Sequence, residues 1–389
     1  MTSTPRYRFG DRDPAVTEIR DKLVQIGLLP IGGGATDPGA QETFDAGLDR
    51  AVRAFQQERG LTVDGVVDAD TYRTLDEARW RLGDRILSHT VSHQLVGDDV
   101  AALQRRLSEL GFDTGRIDGM FGPETESALR EFQRGVGLPV DGTCGPATFK
   151  ALDRLARTVR GGRAHALREE LALAGSGPAL HGKVVVVDPG HGERDRGVVA
   201  NGLEEAAIVE DLAARLVGRL TATGVLAFLT RGSEMALPDS ERAAFANAAE
   251  ADLLVSLHTD GSPSAAANGV ATYFYGHDGY GHSSALGERL AELVQAEVVG
   301  RTDLLDGRTH AKTWELLRRT RMPAVRVEIG YLTHPGDAAR LADSGFRDTV
   351  AEALASAVGR LLAPADAQVH PLEGAVTAPA AGAAEALAG

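Results

Sequence analysis

Lys183-Val184-Val185-Val186-Val187-Asp188-Pro189-Gly190-His191-Gly192 is the stretch on which the fold turns. Four consecutive valines closed by Asp-Pro-Gly read as a short strand covered on both faces, the kind found in parallel sheets. His191 follows the carboxyl end of that strand. Open α/β folds collect their ligands there, so this histidine starts in a chemically plausible place.

Downstream the pattern alternates. Residues 203–220 carry Ile208, Leu212, Leu216 and Leu220 on one helical face, with Glu205 in the first turn, where the helix dipole favours a carboxylate. Strands are expected at 225–229, 251–257, 270–275 and 324–329, and helices at 240–249, 283–298 and 346–362. The expected fold class is α/β: a mostly parallel or mixed sheet flanked by helices on both faces. His258 ends the strand of residues 251–257, as His191 ends the first, and Glu328 lies between Val327 and Ile329 on the last strand.

Two imidazoles and a carboxylate are a normal ligand set for a catalytic zinc, with a fourth position left to water. The expectation is one Zn2+ per chain on His191, Glu205 and His258, with Glu328 as the catalytic carboxylate that moves the water's proton to the leaving amine. An acid inside an apolar strand is costly unless paired. Arg326 is expected to point to the opposite face and so to be a poor partner. His277, His282 and His310 are expected in loops around the cleft and His334 at its rim. His89, His93, His165, His181 and His370 read as structural or exposed. No G-x-S-x-G elbow, G-x-G-x-x-G or P-loop pattern accompanies these residues. Cys144, the single cysteine, has no evident base.

Upstream, the chain repeats itself. Ala51–Leu75, AVRAFQQERGLTVDGVVDADTYRTL, matches Ala128–Leu152, ALREFQRGVGLPVDGTCGPATFKAL, at an offset of 77 (Phe55 with Phe132). The preceding helices match at an offset of 84 (Val16 with Val100), so the first repeat carries 84 − 77 = 7 extra residues, assigned to the Gly-rich loop of residues 31–43. Each repeat reads as three short helices with a Val-Asp-Gly turn before the third. The expected division is repeat one at 8–80, repeat two at 97–156, a linker at 157–182, the α/β domain at 183–362 and a flexible tail at 363–389.

The repeats resemble the three-helix peptidoglycan-binding domain. The second half resembles the zinc-dependent N-acetylmuramoyl-L-alanine amidase family of the Amidase_3 type. The pieces that carry this are VVVDPGHGERDRG (185–197), NGLEEAAIVEDLAARL (201–216), FLTRGSE (228–234), ERAAFANAAEADLLVSLHTDG (241–261), NGVATYFYG (268–276) and MPAVRVEIGYLTHPGD (322–337). The resemblance implies the same three ligands, Glu328 as catalytic residue, and cleavage of the amide between the muramic acid lactyl group and L-alanine. It also assigns Arg242 and Asn247 to structural support of the site. Glu193, Val198, Ala206 and Thr333-His334 depart from the family pattern without removing a ligand. The whole arrangement is similar to the actinobacterial CwlM-type group. That likeness implies cytoplasmic regulators of peptidoglycan precursor synthesis that act on the enolpyruvyl transferase MurA when phosphorylated near the C-terminus; Thr377 is the tail's candidate here.

Composition limits the alternatives. The formal net charge of −14 argues against non-specific nucleic-acid binding, which needs a basic face. No apolar run is long enough to span a membrane, and the opening MTSTPRYRFGDRDPAV has no apolar signal core. One cysteine allows no disulfide within the chain. The expected location is therefore the cytoplasm. The expected partners are peptidoglycan fragments or muramyl-peptides, or, on the alternative reading as a non-catalytic or weakly catalytic regulator of precursor synthesis, MurA.

Overall fold

In the computed structural model, residues 6–30, 41–90, 94–156, 164–175, 180–192, 195–232, 235–264, 266–277 and 282–363 are described. Most of the Gly-rich loop, His93, Glu193 and the tail with His370 and Thr377 lie outside them. Three helices make each repeat: α1 (Pro14–Gln25), α2 (Ala46–Glu58) and α3 (Ala69–Ala78), then α4 (Asp98–Glu109), α5 (Pro123–Gly135) and α6 (Pro146–Ala156). Phe55 and Phe132 are fully buried at equivalent points of two separate cores.

The shared Phe-Gln…Val-Asp-Gly pattern has a specific job. Gln56 donates to Asp64 Oδ1 (2.8 Å) and Val66 O (3.0 Å) and accepts from Gly65 N (2.9 Å). Gln133 does the same with Asp141, Thr143 O and Gly142 N. A third copy of this lock joins Gln104 to Asp118, Met120 O and Gly119 N. Each buried amide satisfies a turn that would otherwise leave backbone groups unpaired. The buried glutamine of the motif therefore holds the repeat together.

Helix α7 (Ala164–Gly175) leads to the α/β domain. Its sheet contains β1 (Val184–Pro189), β4 (Leu226–Leu229), β5 (Leu253–Asp260), β6 (Val270–His277), β7 (His282–Ser283), β8 (Asp306–Lys312) and β9 (Ala324–Tyr331), while β2 (Val199–Ala200) and β3 (Leu203–Glu204) form a separate hairpin. The order is β4-β1-β5-β9-β6-β7, with β8 on β6. β6 runs antiparallel to β9, so the sheet is mixed. β8 has no alternating apolar residues and is half-exposed, which is why its sequence, DGRTHAK, gives no strand signal. His310 consequently sits on a strand and not in a loop, as do His277 and His282.

One face of the sheet presents Val185, Val187, Val255, Leu257, Val325, Val327 and Ile329 to α8 (Glu205–Ala222), α10 (Ala285–Arg301) and α13 (Ser344–Leu362). Burying each such side chain contributes about 1.5–3 kcal/mol. The opposite face packs Val186, Leu254, Tyr275 and Ala324 against α9 (Asp239–Ala248) and α11 (Glu315–Arg319). Beyond them it carries polar side chains.

The repeats dock on this second face. Arg116 reaches the carbonyls of Leu317 (2.8 Å), Thr320 (2.6 Å) and Met322 (3.2 Å). Arg318 bonds Asp118 O (2.6 Å) and Glu77 (2.8 Å), and Thr313 donates to Arg59 O (3.0 Å). Segment 312–322, which feeds β9, is thus held from both repeats.

Candidate metal centre

β1 and β5 are parallel neighbours, and β9 follows β5. His191 lies just past β1, and His258 and Glu328 are register partners across β5 and β9. In a parallel pair, register partners leave the same face. Glu205 opens α8, whose apolar stripe fixes it beneath the strand ends.

The three side chains converge. His191 Nε2 is 3.1 Å and His258 Nδ1 3.0 Å from the same oxygen, Glu205 Oε1. One ligand atom from each lies within 4.8 Å of the others. Zinc bonds of ~2.0–2.1 Å in a tetrahedron put neighbouring ligand atoms about 3.3 Å apart, so the two short separations fit one ion. Glycines keep the space. A Cβ on Gly190 would enter the His258 ring, and one on Gly197 would strike Glu205 and His191. His191 itself adopts a left-handed backbone, φ 57°, a strained conformation of the kind that accumulates at functional sites.

The surrounding shell is orderly. Asp195 Oδ2 holds His191 Nδ1 at 2.8 Å and so aims Nε2 inward. Val198 N and Thr259 N donate to the two oxygens of Glu205. Burial would raise the Glu205 carboxyl, but hydrogen bonds from His191 and His258 outweigh it and hold the group well below the usual range. Burial, with help from the Arg326 charge, pushes His258 down to about 4, against the pull of Glu205. The ring is therefore neutral and able to ligate at pH 7. His191 moves the other way: burial lowers it, but contacts with Glu205 and Asp195 raise it on balance.

Behind the ligands, Asp188 is fully buried and accepts from Arg242 Nη1 (2.8 Å), Ser256 (2.6 Å) and Thr230. Arg242 also donates to Pro189 O and His191 O, both at 2.7 Å. Arg231 donates to Pro189 O and Gly190 O, both at 3.0 Å. Two guanidiniums thus clamp three successive carbonyls of the ligand loop. Asn247 ties α9 to residues 319 and 321. The supporting place expected for Arg242 is a direct one; that of Asn247 is one step removed.

The expectation for Arg326 was wrong. Residues two apart on a strand share a face, and Arg326 Nε and Nη2 reach Glu328 Oε1 at 2.7 and 2.6 Å. Sequence reasoning also missed Asp195, Asp188 and Arg231. The Asp-x-x-His spacing 188–191 and the i,i+4 pair 191–195 were the available signals. Three of the other histidines have partners away from the cluster: His310 Nε2 contacts Gly307 O, His334 caps α12 (Pro335–Ala342), and His89 pairs with Glu126. The side chains of His277 and His282 lie outside the described residues.

A mixed α/β sheet with a His/Glu/His cluster at its strand ends and an acid beside it defines a single-zinc hydrolase. Comparison with known proteins makes the class specific. Residues 185–360 match the family model described as N-acetylmuramoyl-L-alanine amidase, and residues 12–75 and 96–152 match that of a peptidoglycan binding domain. The chain is 49% identical over 361 residues to N-acetylmuramoyl-L-alanine amidase CwlM of Mycobacterium tuberculosis, covering 91% of this chain and 89% of that protein. It is 31% identical over 173 residues to amidase LytC of Bacillus subtilis, covering 44% of this chain and 34% of that one. Among solved structures, amidase AmiC2 of Nostoc punctiforme aligns at 30% identity and TM-score 0.43, covering 46% of this chain and 97% of that one. The chain belongs to the N-acetylmuramoyl-L-alanine amidase family.

Proposed function

We propose that this protein hydrolyses the amide joining the N-acetylmuramoyl lactyl group to L-alanine, with His191, Glu205 and His258 holding one zinc. The observation that carries the reading is the meeting of two imidazole nitrogens at one buried carboxylate oxygen, beside Glu328. Bound zinc supplies Lewis acidity, polarising the scissile carbonyl and acidifying water. Glu328 accepts the proton of the attacking water and returns it to the departing L-alanine nitrogen. Burial first, then nearby carboxylates, lift its carboxyl to about 7 against the opposing pull of Arg326. It can therefore hold and release a proton near neutrality. Asp195 and the Arg231–Arg242 clamp keep His191 in place throughout.

Glu328→Gln is expected to retain one zinc per chain and to lose turnover of a muramoyl-L-alanyl peptide by about 10²–10⁴-fold. Unchanged turnover would reject the role. Among the described residues, no helix is long and apolar enough to cross a membrane. A second reading follows from the likeness of the whole architecture to CwlM. The protein works in the cytoplasm, on muramyl-peptides or as a regulator that binds MurA, with phosphorylation at Thr377 as the switch. The intramolecular use of the repeats, which grip residues 312–322, favours a role beyond glycan capture. A pull-down of MurA with and without phosphorylated Thr377 tests the regulator; no capture in either state would reject that role.

A further inference from the structure

The geometry points to Arg326 as the positioning residue for Glu328: it takes one carboxylate oxygen and leaves the other for the reacting water. This rests on the assignment of Glu328 as proton carrier. Nε and Nη2 of Arg326 both go to Oε1, at 2.7 and 2.6 Å. Oε2 is buried and has no hydrogen-bond partner. Leaving a buried acceptor without a donor is costly, more so for a charged group, so a carboxylate free to turn would share its donors between both oxygens. Two nitrogens fixed on one oxygen prevent that.

Arg326 is itself held. Its guanidinium lies 4.6 Å from the ring centre of Trp314, and Trp314 is 4.7 Å from Tyr273. Stacking fixes the plane of a guanidinium as it could not fix a lysine ammonium. Trp314 directly precedes α11, in the segment held by Arg59 and Arg116 of the repeats. Across the sheet, Arg326 is the register partner of Ser256, as Glu328 is of His258. The guanidinium therefore sits one strand step behind the reacting atoms, on the same face, and acts through Glu328 without touching the metal ligands.

The test uses the full-length zinc-loaded protein and the variants Arg326→Met, Arg326→Lys and Glu328→Gln. The methionine keeps an apolar stem over Trp314 and removes both donors. Its kcat on a muramoyl-L-alanyl peptide is expected to fall about 100-fold, the cost of a misplaced catalytic group. KM and zinc content are expected to stay near the wild-type values, since the hydrogen bonds of Arg326 go to Glu328 and not to the metal ligands. Arg326→Lys, which restores the charge and one donor, recovers part of the lost kcat. A purely structural arginine would lower thermal stability without this split between kcat and KM. Crystal structures of the variants give a readout independent of turnover: in Arg326→Met the carboxylate of Glu328 should turn and Oε2 should gain a partner. Wild-type kcat in both Arg326 variants with Glu328 unmoved overturns the proposal and leaves the role of Glu328 standing. An active Glu328→Gln overturns that role instead, and the carboxylate's position in the variant crystals still decides what Arg326 does. If the methionine variant fails to fold, the lysine variant alone carries both readouts, with a reduced kcat expected and an unchanged one fatal.

Discussion

Asp188→Asn is the substitution whose effect can be worked out most fully. Asp188 is 0% exposed and its partner Arg242 4%, at 2.8 Å. The amide keeps the size of the side chain and removes its charge, which leaves a buried guanidinium without a counter-charge. Breaking such a pair costs roughly 3–5 kcal/mol. A transition of this domain's size moves about 2–4 °C per kcal/mol, so a melting point lower by about 6–20 °C follows. The control is Asp303→Ala, which removes a shorter contact, 2.6 Å to Arg340, but at 73% and 32% exposure. A pair this exposed is screened by solvent and contributes little, so its melting point should fall far less than that of Asp188→Asn. Burial, not distance, decides the order. Arg242 also holds the His191 carbonyl, so zinc affinity in Asp188→Asn should drop about 10–100-fold, as for other residues that orient metal ligands. Thermal denaturation and zinc titration of both variants check this. Equal melting points for the two, or undiminished zinc affinity in Asp188→Asn, would refute the reasoning.

Gly190→Ala changes no ligand, yet its Cβ enters the His258 ring; zinc content after dialysis should fall well below one per chain while the fold persists by circular dichroism. Because burial raises Glu328 to about 7, the carboxyl stays protonated, and useless as a base, until that pH. kcat/KM should therefore rise with pH through about 7 and level off above it; a midpoint near the ordinary carboxylate value would contradict this. Arg116→Ala removes a donor from three carbonyls, of which Leu317 O keeps the hydroxyl of Thr320, at a cost of about 1–3 kcal/mol. Calorimetry should then show the repeats melting separately from the α/β domain, whereas a single transition is expected of the wild type.

Much of the site was legible because its residues interrupt strong patterns. His191 and His258 each close an apolar β-branched run, Glu205 opens an apolar helical stripe, and Glu328 is an acid inside a strand. The supports were less legible because they come from far along the chain. Asp188 meets Arg242 and Ser256 across 54 and 68 residues, and only the finished sheet brings them together. The Arg326 error was different in kind, since a period of two already places residue 326 beside 328. In the repeats, the locks at Gln56 and Gln133 share a spacing of 8 to their aspartates, whereas Gln104 reaches Asp118 across 14, so self-comparison passes over it. The docking of the repeats on residues 312–322 had no sequence signal, because its contacts are mostly arginines on backbone carbonyls about 200 residues away.

X-ray absorption at the zinc edge, on protein purified without added metal, reaches the core of this account most directly. One zinc per chain is expected, with two imidazole nitrogens at about 2.0–2.1 Å and one carboxylate oxygen at about 2.0–2.2 Å, and with the signal lost in His258→Ala. Protein that stays metal-free in zinc-replete medium, or a zinc shell without imidazole, would contradict it.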